Sequence, residues 1–247
     1  MIFSIVTPTF NSEKKIIKNI QSINQQTFKN FEQLFIDNLS SDKTLELIRK
    51  FSKYNYKIIS EKDLGIYNAM NKGIDNSFGQ YLLFLNSDDW IDANILEIVD
   101  LFIKENNYPD IVYGNAKFYD RDEHKFSKNA SIKNIFRNNT VFHSSTFIKK
   151  KVFSKLKYNE NFKISSDYLF FLEAYKNNFF FKKINKDISN ITLGGASSNL
   201  LISAKEFYKI QIYYNGVVLG IINFFLRYHY HIFSIIFLKI KMTINND

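Results

Sequence analysis

Short apolar runs alternate with helical patterns through the first half of this chain, and every run stops at a polar or acidic loop. Residues 2–7 form the first run and halt at Pro8, which cannot donate to a sheet ladder. A capped helix is expected from Ser12 through residue 26. Residues 31–36 form a second run that ends at Asp37, followed by polar residues 38–42 and a helical pattern through Leu45, Leu47, Ile48 and Phe51. A third strand is expected at 56–59, then a helix over 66–74 that ends at Gly73 or at the turn of residues 76–79. A fourth run, 81–85, stops abruptly at Asn86-Ser87-Asp88-Asp89. Strands without polar alternation are buried on both faces, so this repeat predicts an α/β fold with a mostly parallel sheet flanked by helices. Ligands in such sheets bind beyond the carboxyl ends of the strands.

Beyond residue 90 the pattern loosens. A helix is expected around 95–104, a strand at 111–119, a polar stretch over 120–139, a strand at 140–148, a helix at 166–176 and a strand at 179–184. We read this half as completing one site. No repeat and no linker rich in Pro, Gly or Ser divides the chain. With 26 Phe and 15 Tyr there is ample aromatic area for a core, and the lack of cysteine removes disulfides, thiolate metal sites and thiol nucleophiles. The first apolar run is short and has no basic residue before it, so no signal peptide or spanning helix is expected there. A cytoplasmic protein is the expectation.

The excess of 33 Lys and Arg over 24 Asp and Glu, a net charge of +9, favours anionic partners. Basic and aromatic residues are dispersed and form no nucleic-acid module, so no nucleic-acid partner is expected. The chain contains no Gly-x-Gly-x-x-Gly, no Walker A loop, no His-Glu-x-x-His and no Gly-x-Ser-x-Gly. Dinucleotide, P-loop, zinc-protease and serine-hydrolase chemistry therefore lack their parts. Acidic residues instead collect where strands end, at Asp37 and at Asp88 and Asp89, as oxygen ligands for a divalent cation would. The competing reading of each Asp alone is a turn or helix cap.

Four segments occur in order: Thr7-Pro8-Thr9-Phe10-Asn11, Asp37-Asn38-Leu39-Ser40-Ser41-Asp42, residues 63–73 beginning Asp63-Leu64-Gly65, and Asn86-Ser87-Asp88-Asp89. Together they resemble a family 2 glycosyltransferase with the GT-A (Rossmann-like) fold, of the kind that builds bacterial surface polysaccharides such as O-antigen, capsule or exopolysaccharide. The resemblance covers about residues 1–200, divided into a nucleotide-binding half, 1–90, and an acceptor half, 91–200. It implies that Thr7, Pro8 and Asn11 form the first nucleotide loop and that Asp37 meets a uracil imide. Asp63 and Lys72 would approach the nucleoside and diphosphate. Asp88 and Asp89 would hold Mn2+ or Mg2+ on the diphosphate, with Asp88 also counted at the nucleotide. Asn38 and Asn86 stand where the family often has further acids. Phe162-Lys163-Ile164-Ser165-Ser166-Asp167-Tyr168 resembles the segment that carries the catalytic base, which makes Asp167 the expected base. His143 and Gly195, in His143-Ser144-Ser145 and Gly194-Gly195-Ala196-Ser197, are expected near the acceptor or diphosphate; a structural histidine and a tight glycine turn are the alternatives.

The last segment, 201–247, is expected to be helical. Its stretch 216–240 is apolar but interrupted by Arg227, His229 and His231, which favours an interfacial helix over a spanning one. Packing on the domain itself or on a second copy of the chain, as a homo-oligomer, is the alternative. The resemblance thus implies an inverting, metal-dependent transferase that moves a sugar from a nucleotide-sugar donor, UDP-linked, to a lipid-linked saccharide at the inner face of the cytoplasmic membrane. Two other readings stay open: an inactive nucleotide- or glycan-binding subunit, and a sugar nucleotidyltransferase, which the absent Gly-rich phosphate loop opposes.

Overall fold

In the computed structural model, backbone is described for residues 1–138, 140–195 and 199–244, with side chains described up to residue 228. Ala196 and Ser197 of the glycine-rich motif, and the side chains of His229 and His231, lie outside the described residues. The first half alternates as the apolar runs require: β1 (Phe3–Thr9), α1 (Ile16–Asn24), β2 (Phe31–Asp37), α2 (Thr44–Phe51), β3 (Tyr56–Ser60), α3 (Ile66–Asn76) and β4 (Tyr81–Phe84). These four strands are parallel neighbours in the order β3-β2-β1-β4. Along β4 the alternation of faces sends Leu82 and Phe84 into one core, with α3, and Tyr81 and Leu83 into another, with Val99 and Ile103. Every residue of β2 and β4 is buried; β4 is apolar throughout, whereas β2 buries Glu32 and Gln33 through hydrogen bonds to Ser4 and Asn19.

The second half departs from a purely parallel plan. It contains β5 (Trp90–Ile91), α4 (Ile95–Glu105), β6 (Ile111–Asp120), β7 (Glu123–Lys128), β8 (Thr146–Lys149), α5 (Ser166–Lys176), β9 (Phe181–Thr192) and the helical run α6 (Leu200–Ile244). The nine-stranded sheet continues β4-β8-β6-β9-β5, with β7 beside β6. Here β8 runs antiparallel to both of its neighbours, β9 is parallel to β6, and β5 is antiparallel to β9, so the sheet as a whole is mixed.

Several boundaries move for local reasons. α1 starts at Ile16 rather than near Ser12, because the Ser12 amide donates to Thr44 Oγ1 and holds the first loop onto the second. α3 runs past Gly73 to Asn76. That glycine is needed for close packing instead: a Cβ there would lie 2.3 Å from Val6 Cγ1 on β1. The strand expected at 140–148 is shorter. The Ser145 amide and the Thr146 hydroxyl both donate to the Phe142 carbonyl, and residues 143–145 form a 3-10 turn ahead of β8. β7 lies inside the expected polar stretch and is exposed throughout, so it carries no apolar alternation. Phe207, Ile210 and Tyr228 of α6 are buried in the same cluster as β4 and α5.

Candidate active site

The carboxyl ends of β1, β2, β3 and β4 open on one cavity of about 710 Å3. The first loop contributes Pro8 to Lys15. Asn11 takes a left-handed φ of 46°, and its Oδ1 accepts the Ser41 amide at 3.0 Å, so the first and second loops are tied. Asn38 and Asp42 line the same space. Asp63 joins them, its amide donating to Asn38 Oδ1 at 2.8 Å and its carboxylate accepting the Gly65 amide at 2.8 Å. Burial pushes the Asp63 carboxyl up, against the opposing pull of the Gly65 amide and of Lys72.

Three expected nucleotide residues sit behind this wall. Asp37 is fully buried, and its carboxylate accepts from the Ser40 amide at 3.0 Å, the Ser40 hydroxyl at 2.5 Å, the Ser60 hydroxyl at 2.7 Å and Thr9 Oγ1 at 3.2 Å. Those four donors make it the tie between three loops. Thr7 is buried too and accepts Gln33 Nε2 at 3.2 Å. Lys72 reaches Glu61 at 2.9 Å and the Lys62 carbonyl at 2.7 Å, outside the cavity lining.

Asp88 and Asp89 follow β4 and both line the cavity. The Asp88 carboxylate holds the Lys15 ammonium at 3.1 Å. Asp89 is buried; its two oxygens accept the Thr192 amide at 3.0 Å and Asn86 Nδ2 at 3.1 Å. Burial, followed by the neighbouring charge of Asp88, pushes the Asp89 carboxyl from 3.8 up to about 7. Hard oxygen donors suit a divalent cation. The set fits one: the Asp88 carboxylate already faces a cation, the Lys15 ammonium, and Asn86 Oδ1 is buried with no hydrogen-bond partner. Two carboxylates fall short of a full cation shell, and among the described residues no group of three or more acidic, His or Cys ligands occurs. Phosphate oxygens of a donor would supply the remainder.

From Asn86 the contacts pass to the other half of the fold. Asn86 Nδ2 also lies 3.3 Å from His143 Nε2, and His143 Nδ1 lies 3.0 Å from Asp167 Oδ2. An amide nitrogen facing Nε2 makes that atom the acceptor and puts the ring proton on Nδ1, toward Asp167. Burial opposes the charged imidazole, but the Asp167 hydrogen bond and charge, helped by Asp89, outweigh it and raise the His143 pKa. His143 lines the cavity, whereas Asp167, in the first turn of α5, stands beside it with its other oxygen 3.4 Å from the Tyr67 hydroxyl. Gly195 also lines the cavity.

Four contributors carried no signal in the sequence patterns. Lys15 and Lys163 bring positive charge to the cavity. Thr192 clamps the acidic pair, with its hydroxyl donating to the Asp88 carbonyl at 2.5 Å. Glu206 of α6 accepts the amides of Lys163, Ile164 and Ser165 at 2.7, 3.0 and 2.9 Å, and so holds the segment that leads to Asp167. The available hint was an acid on an otherwise apolar helix, which needs buried donors to be stable.

Comparison with known proteins agrees with this architecture. Residues 4–179 match the family model described as glycosyl transferase family 2. A PGL/p-HBAD biosynthesis glycosyltransferase of Mycobacterium bovis (strain BCG / Pasteur 1173P2) is 28% identical over 224 residues, covering 84% of this chain and 83% of that protein. The crystal structure of S. aureus TarS 1-349 in complex with UDP-GlcNAc superposes with a TM-score of 0.72 at 24% identity, covering 85% of this chain and 64% of that one. The mannosyltransferase PcManGT from Pyrobaculum calidifontis, in complex with GDP-Man and Mn2+, gives a TM-score of 0.62 at 13% identity, covering 84% of this chain and 62% of that one. The chain therefore spans somewhat under two thirds of the length of either solved structure.

Proposed function

Since this chain belongs to glycosyl transferase family 2 and has the GT-A fold, we propose that it is an inverting, divalent-cation-dependent glycosyltransferase. Its donor is a nucleotide sugar, UDP-linked. Its acceptor is a lipid-linked saccharide of bacterial surface-polysaccharide synthesis, met at the inner face of the cytoplasmic membrane. The observation that carries this reading is the contact path Asp89–Asn86–His143–Asp167, which leads from a cation-suited acidic pair in the cavity to a carboxylate base at its side.

In this reading the nucleoside rests on the loops at Pro8, Asn11, Asn38 and Asp63, and Lys15 and Lys163 attract the diphosphate. Asp88 and Asp89 would hold Mn2+ or Mg2+, which supplies charge neutralisation to the departing nucleoside diphosphate. Asp167 takes the proton of the acceptor hydroxyl as that oxygen bonds to the anomeric carbon. The bond from that carbon to the diphosphate oxygen breaks in the same displacement, which inverts the centre. His143 aligns the Asp167 carboxylate through the 3.0 Å contact and is positioned to stabilise it between turnovers. Gly195 and His143 border the space left for the acceptor.

A panel of nucleotide sugars, assayed for binding and for nucleoside diphosphate release with Mn2+, Mg2+ or EDTA, tests the proposal. Cation-dependent release from a UDP-sugar is expected. Failure to bind any donor would remove the nucleotide site, and binding without release even with lipid-linked acceptors would support the inactive-subunit reading.

A further inference from the structure

α6 is not one straight span. Leu200–Tyr228 has the length and apolarity to cross a membrane, but Gly216, at φ 74° and ψ 172°, breaks the run and turns the chain back on itself. Contacts on either side of Gly216 pair in antiparallel fashion. Gly220 comes against the backbone of Gln211 and Ile212, Asn223 Nδ2 donates to Gln211 Oε1 at 2.8 Å, and the hydroxyls of Ser203 and Tyr228 lie 3.1 Å apart. Residues 200–228 are thus a helical hairpin.

The first limb buries Phe207 and Ile210 and exposes Lys205 and Lys209, but the second limb is inverted in polarity. Its Asn223 is buried against Gln211, which also bonds Tyr168 and Asn215, and half-buried Arg227 donates to Asn138 Oδ1 at 2.6 Å and lies 4.4 Å over the Phe207 ring. Most apolar groups of the second limb face outward. Val217, Val218, Leu219, Ile222 and Phe225 are all exposed on the second limb, with Val218 at 72%, and Tyr213 is 80% exposed beside the turn. Scattered exposed aliphatics are ordinary, but a contiguous strip with the polar groups turned inside is the arrangement of helices that meet lipid.

A second cavity, of about 240 Å3, adjoins the strip. It is lined by Asn134, Arg137, Asn138, Asn223, Leu226 and Arg227. Two guanidiniums among amide groups supply the donors that a phosphate accepts. Leu226, 65% exposed, belongs to both the cavity and the apolar face. Pairing two copies through this strip would bring two cationic cavities together, and like charges oppose it.

We propose that the hairpin is a docking surface for an anionic phospholipid bilayer, with the strip at Val217–Phe225 among the acyl chains and a lipid phosphate in the Arg137 and Arg227 cavity. This deepens the acceptor side of the reading above and rests on it for its purpose, since Glu206 on the first limb also holds the wall of the catalytic cavity. Docking itself needs no donor chemistry.

The test is co-sedimentation of the full chain with phosphatidylcholine vesicles, with and without phosphatidylglycerol. Wild type should pellet with the anionic vesicles. Val218→Glu/Phe225→Glu should stay in the supernatant, and Arg137→Gln should weaken binding to anionic vesicles about fivefold, the worth of one basic side chain near such a surface. Arg137→Gln should leave the weaker binding to neutral vesicles unchanged. Wild type left in the supernatant with anionic vesicles, or a double variant that pellets equally well, would overturn the proposal. So would a wild-type dimer in sedimentation velocity that the double variant converts to monomer without any vesicle binding. Donor hydrolysis, run on the same samples, should be equal in all three proteins, and its absence in wild type would count against the catalytic reading alone.

Discussion

Asp167 and His143 share one hydrogen bond but differ in what they face, and this separates their expected phenotypes. Asp167→Asn should lower kcat by about 10²- to 10⁴-fold, the span of general-base catalysis, with donor affinity unchanged in titration calorimetry. His143→Ala should lower kcat less and shift the pH–rate profile, because the imidazole raised by Asp167 no longer titrates beside the base. Asp89 carries the clearest pH signature. Its folded-state pKa, about 7, lies above the unfolded value of 3.8, so the folded chain holds a proton that the unfolded chain has released. The stabilisation is complete below the unfolded pKa and is lost as pH rises through 7; His143, raised against burial by the Asp167 hydrogen bond and charge, acts in the same direction. In EDTA, thermal unfolding should therefore occur at lower temperature at pH 8 than at pH 6, and Mn2+ with a nucleoside diphosphate should narrow that difference. A melting temperature that does not fall over this interval would contradict the burial of Asp89. At this scale the acids themselves were legible, since they stand where apolar runs end. Their directions were not: Asp37 closes β2 and Asp89 follows β4, yet only Asp89 reaches the cavity, because Ser40 and Ser60 enclose Asp37.

Elements place these groups by close packing. α3 approaches β1 so tightly that Gly73→Ala drives its Cβ into Val6, and overpacking of this kind costs about 1–3 kcal/mol, to be read by urea denaturation. The contact between Glu206 and the amides of residues 163–165 is an anchor of another kind. Glu206→Gln keeps the shape but sets an amide donor against N–H groups, so a loss of about 1–3 kcal/mol is expected together with a lower kcat and little change in donor affinity. Wild-type kcat in Glu206→Gln would show that the loop holds its position without the carboxylate. The parallel half was legible because its strands are short runs rich in buried aliphatic and aromatic residues, each closed by a polar loop. β7 was not, because a strand exposed on both faces has no apolar face to declare it, and the 3-10 turn at His143 depends on hydroxyl-to-backbone bonds that composition does not reveal.

Across the whole molecule, the two halves of the sheet and the start of α6 share a core. Removing residues from 216 onward would therefore do more than remove the proposed docking surface. It would strip Tyr228 from Phe207 and Asn223 from Gln211, and a lower melting temperature with increased aggregation is expected for that truncation. An unchanged melting temperature would show that the second limb adds nothing to the fold. By itself, the order of apolar runs and acidic loops determined the α/β class, the edge of the sheet on which the cavity opens and the candidate acids, because strand burial and chain direction are local consequences of residue type. Only the tertiary structure decided which acids face the cavity, that Asn86 joins Asp89 to His143 and Asp167, and that the apolar tail turns back at Gly216 with its polar groups inside. Those outcomes depend on contacts between residues far apart in the chain, where packing rather than residue type selects the partner.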